Sequence, residues 1–228
     1  MTVRLAVFAS GGGSNLRALL EWFATDDSAH IALVVSDHEE AGALQHARNA
    51  HVPTSHITVR GRGEDDVARE TLAVLAVHDI ELIALAGYLQ LVPAAVIAAY
   101  RNRILNIHPA LLPSFGGQGM YGIRVHAAVL AAGCAVTGAT VHRVDERYDE
   151  GDIVAQWPVP VLAGDTPETL AARVLRIEHR LYPAVVAAVA RALTSGVPER
   201  GRPDTDPVFR LMNKLDGVET ELPAVMRW

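Results

Sequence analysis

Residues 4–23 read RLAVFASGGGSNLRALLEWF: an apolar run, three consecutive glycines, then a string of helix formers. The run from Arg4 to Ser10 is short, continuous and apolar, as expected of a strand covered on both faces. Leu16, Leu19, Leu20 and Phe23 then recur at helical spacing. A strand that turns through glycines into a helix leaves bare backbone N–H groups at the positive end of a helix dipole, and a phosphate is the natural guest there. Ser14 and Asn15 are also good N-cap residues, so a capped turn holding no ligand is the competing reading. The dinucleotide fingerprint G-x-G-x-x-G fails, because its third glycine falls on Leu16 or Arg17. The P-loop lysine is missing as well, since Gly13 is followed by Ser14 and Asn15.

Outward from this junction the chain keeps the same rhythm. IALVVS (31–36) and ELIALA (81–86) read as further parallel strands, with helical patterns at 40–50 and 64–77 between them. RILNIH (103–108) is another strand, followed by a loop rich in proline and glycine at 111–122. HAAVLAAG (126–133) predicts a helix closed by Gly133, and residues 137–145 and 152–161 predict two strands around a polar turn. Thr166, Pro167 and Glu168 signal a helix start, and the pattern runs to about Leu193 with Pro183 kinking or dividing it. The fold class predicted is α/β: a doubly wound, mostly parallel sheet with helices on both faces. One domain spans 1–195, with a mononucleotide-binding half at 1–100 and a catalytic half at 101–195, and an irregular tail covers 196–228.

Composition limits the partners. Among 228 residues, 20 Lys and Arg stand against 26 Asp and Glu, a net charge of −6, and no basic cluster is dense enough for a nucleic-acid surface. The single cysteine, Cys134, excludes an internal disulfide and a Cys-rich zinc site, and it suits a reducing compartment. No stretch approaches about 18 uninterrupted apolar residues. A cytoplasmic protein without membrane association is the expectation.

A second stretch carries chemistry: NIHPALLPSF, 106–115. Side chains alternate along a strand, so Asn106 and His108 face one way and Leu105 and Ile107 the other, and Pro109 ends the strand at its carboxyl end. Open α/β sheets bind ligands at that end. An amide donor beside an imidazole suits stabilisation of an oxyanion during attack on a carbonyl, with proton transfer nearby. A carboxylate to orient the imidazole is offered by Asp145, Glu146, Asp149, Glu150 and Asp152, and spacing does not choose among them. His108, His126 and His142 show no metal-ligand spacing, His126 reads as a helix-start residue, and Cys134 has no nucleophile's setting.

Five motifs in this order, SGGGSN (10–15), AGYLQLVP (86–93), RILNIHPALLPSF (103–115), TGATVHRVDERYDEGDIVAQ (137–156) and RIEHRLYP (176–183), resemble the phosphoribosylglycinamide formyltransferase family, over roughly residues 3–185. The resemblance implies a formyltransferase fold and transfer of a formyl group from the co-substrate 10-formyltetrahydrofolate to 5'-phosphoribosylglycinamide in purine biosynthesis, with no metal, by a monomer or homodimer. It makes Asn106 and His108 the catalytic pair and Asp149 the acid that raises the histidine pKa. Gly12, Gly13, Ser14 and Asn15 become the cradle of the ribonucleotide phosphate, and Glu178 a contact to its sugar or glycinamide part. Leu89, Gln90, Leu91 and Val92 line the pterin pocket, and the loop from Val144 and Asp145 to Asp149 closes over the same ring. Many relatives carry a basic residue where this chain has Gln90, and Arg62, or else Arg60, is the basic residue implied to help with the folate. A formyltetrahydrofolate hydrolase shares the Asn-x-His-Pro chemistry without needing a phosphate cradle, and a non-catalytic module binding phosphorylated metabolites leaves Asn106, His108 and Asp149 without purpose.

Overall fold

The computed structural model describes residues 2–195, so the tail predicted at 196–228 lies outside the described residues. Strands β1 (Val3–Phe8), β2 (Ala29–Ser36), β3 (Thr54–His56), β4 (Leu82–Leu85), β5 (Ile104–His108), β6 (Val136–Arg143) and β7 (Ile153–Pro160) form one sheet in the order β3-β2-β1-β4-β5-β6-β7. All pairs are parallel except β5 with β6 and β6 with β7. Helices α1 (Ser14–Phe23), α2 (Gly42–Asn49), α3 (Glu64–Val77), α4 (Ala94–Ala99), α5 (Ile123–Ala131) and α6 (Pro167–Ser195) cover it.

The doubly wound character follows from the strand sequences. Leu5, Val7, Leu82, Ala84, Leu105 and Ile107 face one layer, where they meet Leu16 and Leu19 of α1, Val129 of α5 and Tyr182 and Val186 of α6. Ala6, Phe8, Ile83, Leu85 and Ile104 face the other, against Val67 and Leu75 of α3 and Val96 of α4. Residues that alternate yet are apolar on both sides can be buried only between two layers of helices. The chain moves from β1 outward to β3, then returns to place β4 and β5 on the other flank of β1. The switch point therefore lies between β1 and β4, and the loops leaving their carboxyl ends, 9–13 and 86–93, open the crevice where such sheets bind ligands.

Several local expectations shift. Pro183 does not divide the last helix: α6 is continuous, and proline removes only one N–H from its ladder. Thr166 does start it, since the Thr169 N–H donates to Thr166 Oγ1 at 3.3 Å and the Thr166 N–H to Thr169 Oγ1 at 2.9 Å, a reciprocal cap. Helix α5 begins at Ile123, three residues before the predicted start, which carries His126 from a helix start to a buried helical position. Gly133 closes it as predicted: its φ of 67° lets its own N–H reach the Leu130 carbonyl and the next N–H, of Cys134, reach that of Val129.

Candidate active site

Gly13, with φ 76°, is the N-cap of α1, and Ser14 is the first helical residue rather than the cap. A Cβ on Gly13 would sit 2.6 Å from Ala43 Cα, so this position needs glycine for its backbone angle and for the close approach of α2. No side chain caps α1. Among the described residues the N–H groups of Gly12, Gly13, Ser14 and Asn15 accordingly have no acceptor in the protein. Asn15 donates from Nδ2 to Glu178 Oε2 at 2.7 Å, joining α1 to α6, and both side chains are buried. Burial pushes the Glu178 carboxyl above the usual range against the opposing hydrogen bond from Asn15. Ser10 binds the two switch-point loops together: its N–H donates to the Gly87 carbonyl at 3.0 Å, and its Oγ accepts from the Leu89 N–H at 2.9 Å.

Beside this cradle lies a cleft of about 600 Å³. Asn15 and Glu178, Asn106, His108 and Asp149, and Leu89, Gln90, Leu91, Val92, Val144 and Asp145 all line it. The strand and helix ends thus bring together nearly all the side chains singled out from sequence. Arg62, Gly12, Gly13 and Ser14 do not line the cleft: the Arg62 guanidinium pairs with Glu70 and donates to the Thr58 carbonyl at 3.2 Å, and the two glycines and Ser14 form the turn that leads to Asn15. Gln90 donates to Asp37 Oδ2 at 2.8 Å, so its amide serves a buried carboxylate at the rim.

Asn106 and His108 share a face of β5, as the alternation requires. His108 is 3% exposed, with Nε2 2.9 Å from the Phe115 carbonyl and Nδ1 3.5 Å from Asp149 Oδ2. Phe115 and Asp149 both hold left-handed backbone, at φ 59° and 58°, which for non-glycine residues marks strain kept by the surroundings. Each presents its oxygen to a different nitrogen of the same ring. The Asp149 carboxylate also accepts from the Gly117 N–H at 2.9 Å.

His142 is the residue that sequence reasoning left without a role. It sits opposite Asn106 in the antiparallel β5–β6 register, and only that register reveals the pair. His142 Nδ1 lies 2.8 Å from the Arg143 carbonyl, and Nε2 lies 3.0 Å from Asn106 Nδ2. This fixes the orientation of the Asn106 amide, with its second N–H free of the histidine. His142 Nε2 is also 3.4 Å from Asp149 Oδ1.

The electrostatics differ from expectation in one respect. Asp149 and the Phe115 carbonyl raise the His108 pKa as anticipated, but burial is the larger effect and His142 adds to it, so the net direction is down. Burial pushes the Asp149 carboxyl up; the His142 and His108 rings and the Gly117 N–H outweigh it and hold it below the usual range. Asp149 is therefore a charged carboxylate beside a histidine poised to lose its proton. Among the described residues no group of three or more His, Cys, Asp or Glu side chains could hold a metal ion, and no helix is long and apolar enough to cross a membrane.

Known proteins share this fold. The family model described as formyl transferase matches residues 3–186. The chloroplastic phosphoribosylglycinamide formyltransferase of Arabidopsis thaliana is 46% identical over 190 residues, 82% of this chain and 65% of that relative, so the chain spans about two-thirds of its length. The crystal structure of phosphoribosylglycinamide formyltransferase from Brucella melitensis is 44% identical and superposes with a TM-score of 0.76, covering 83% of this chain and 96% of that one. A formyltetrahydrofolate deformylase from Pseudomonas syringae, 25% identical, superposes with a TM-score of 0.76 over 84% of this chain and 62% of its own. The match along nearly the whole described length, on a sheet of this order, shows that the chain belongs to the formyl transferase family.

Proposed function

We propose that this protein transfers the formyl group of 10-formyltetrahydrofolate to the amine of 5'-phosphoribosylglycinamide, acting in the cytoplasm on these two small molecules in purine biosynthesis. The observation that carries the reading is that Asn15, in the first turn of α1, lines the same cleft as Asn106, His108 and Asp149, while the backbone N–H groups of Gly12 to Asn15 beside it are not spent on the protein itself. The phosphate takes the N–H groups of Gly12 to Asn15, and the Glu178 carboxylate accepts ribose hydroxyls. The pterin lies along Leu89 to Val92 and under Val144 and Asp145.

The acceptor amine attacks the formyl carbon. A C–N bond forms, and the formyl oxygen gathers negative charge, held by the free N–H of Asn106 and by His108. His108 Nε2 is engaged by the Phe115 carbonyl, so the looser Nδ1 edge, shared with Asp149, turns to the oxyanion. Burial disfavours the imidazolium in the free protein, and negative charge developing beside it offsets that cost at the moment of reaction. The tetrahedral intermediate collapses with cleavage of the bond to the folate nitrogen. The proton lost by the amine passes to that nitrogen through a water held by Asp149.

Transfer to water is the rival that the deformylase likeness raises. The donor ring at Gly12 to Asn15 favours a phosphorylated acceptor, for which hydrolysis has no use. The test is the absorbance change on deformylation of 10-formyltetrahydrofolate by the purified protein, with and without 5'-phosphoribosylglycinamide. A change that requires the ribonucleotide supports the transferase. The same change without it moves the assignment to a hydrolase, and none in either condition refutes both.

A further inference from the structure

His126 lines the cleft beside His108 yet has no part in the chemistry above. It is 3% exposed, and its Nδ1 is shut off from solvent without a hydrogen-bond partner. Nε2 is not shut off in this way, so it is the ring nitrogen left to meet a molecule in the cleft that His126 lines. A proton on Nδ1 would be a buried donor lacking an acceptor, which is costly, whereas a proton on Nε2 can be used by a ligand. Burial and the neighbouring His108 both push the ring toward its neutral form. His126 is thus an uncharged N–H donor aimed into the cleft.

Its position tells which ligand it meets. Helix α5 packs on α6 in the layer that also contains α1, and those two helices supply Glu178 and Asn15 to the cleft. Val92 and Val144, assigned above to the pterin, pack in the opposite layer. A donor arriving from the α5 side faces the acceptor substrate and not the folate. The Asn106 and His108 pair already serves the formyl oxygen. The remaining acceptor atom close to the attacking amine is the carbonyl oxygen of the glycinamide, one methylene away.

We propose that His126 Nε2–H donates to the amide carbonyl next to the acceptor's amine and so selects α-amino amides over simple amines. The inference rests on the acceptor assigned above. A phenylalanine would fill the same space without the orphaned nitrogen, which sets the contrast for a test.

The experiment measures steady-state kinetics of His126→Phe and His126→Gln with 5'-phosphoribosylglycinamide and with an analogue whose carbonyl is replaced by CH2. His126→Phe should raise the KM of the ribonucleotide about tenfold, with a smaller effect on kcat and none on the KM of the folate. His126→Gln, which keeps an N–H, should recover most of the loss. The analogue should lose about the same factor on the wild type and nothing further on His126→Phe. Unchanged ribonucleotide KM, or full discrimination against the analogue by His126→Phe, overturns the proposal. Should His126→Phe not fold, ¹⁵N NMR of the wild type decides: the His126 Nε2–H resonance moves on adding ribonucleotide but not a folate analogue, and an unmoved resonance refutes the contact. Wild-type protein that does not transfer to the ribonucleotide refutes the acceptor assignment itself, and this proposal with it.

Discussion

Replacing Asp149 by asparagine separates its charge from its shape. Asparagine tolerates the left-handed φ of 58° and keeps an oxygen for the Gly117 N–H, so the fold and the loop persist. What disappears is a carboxylate 3.5 Å from His108 Nδ1. At that distance, with an effective dielectric of about 20, the attraction to an imidazolium is about 5 kcal/mol, and desolvation of the pair leaves about 2 kcal/mol. That lowers the imidazolium population by about thirtyfold, and loss of the carboxylate that holds the relay water costs at least about a hundredfold more. The kcat of Asp149→Asn at neutral pH should fall at least about 3,000-fold. Burial already depresses the His108 pKa, and without Asp149 it drops further, so the deficit should shrink as pH falls from about 8 to about 6. Single-turnover deformylation across that range, with a melting curve to show that the variant is folded, reads both effects. Activity within about tenfold of wild type at every pH would refute the role given to Asp149.

Gly13→Ala forces a Cβ to 2.6 Å from Ala43 Cα at a φ of 76°, and it should destabilise the protein by about 3 kcal/mol or more; an unchanged melting temperature would refute the packing argument. Arg62→Ala should change the KM of the folate by less than about twofold, because the side chain is committed to Glu70 and Thr58, and a large rise would return Arg62 to the site. The Asp165 carboxylate, 4% exposed and gripped at two oxygens by Arg173, lies far below the usual range. A folded-state pKa depressed in this way stabilises fully above the ordinary carboxylate range and is lost as pH falls through the folded value. Thermal melts should therefore decline in acid. Asp165→Asn should lower the melting temperature by several degrees at neutral pH and flatten the acid decline, and a melt that keeps the wild-type slope would count against this source of acid sensitivity.

The sheet was legible where strands are continuous apolar runs. β1, β2, β4 and β5 are buried on both faces, which leaves no polar alternation to confuse the pattern. β3 was not, because Thr-Ser-His at a sheet edge is too short and too polar to register. The start of α5 hid behind Gly122, since Ile123 and Val125 are β-branched and read poorly as a first turn. Within the site, the facing of Asn106 and His108 follows from period two alone. The selection of Asp149 from a run of acids came from the resemblance, and its cause is tertiary: a left-handed residue turns the carboxylate back toward β5, with no local signal in ERYDEGD. His142 needed the β5–β6 register, and the commitment of Arg62 to Glu70 needed the approach of a loop to α3.

The Tyr182 hydroxyl lies 2.9 Å from the Leu85 carbonyl and 3.0 Å from that of Leu105, which share its one proton. Tyr182 is fully buried and stands one turn beyond Glu178 on α6, while the two carbonyls belong to strands entering Gly87 and Asn106. One phenol therefore clamps the helix that carries Glu178 to β5, which carries Asn106 and His108, and to β4, which runs into the loop at 86–93. The gap between these two walls is set before any ligand arrives, like the jaws of a fixed gauge.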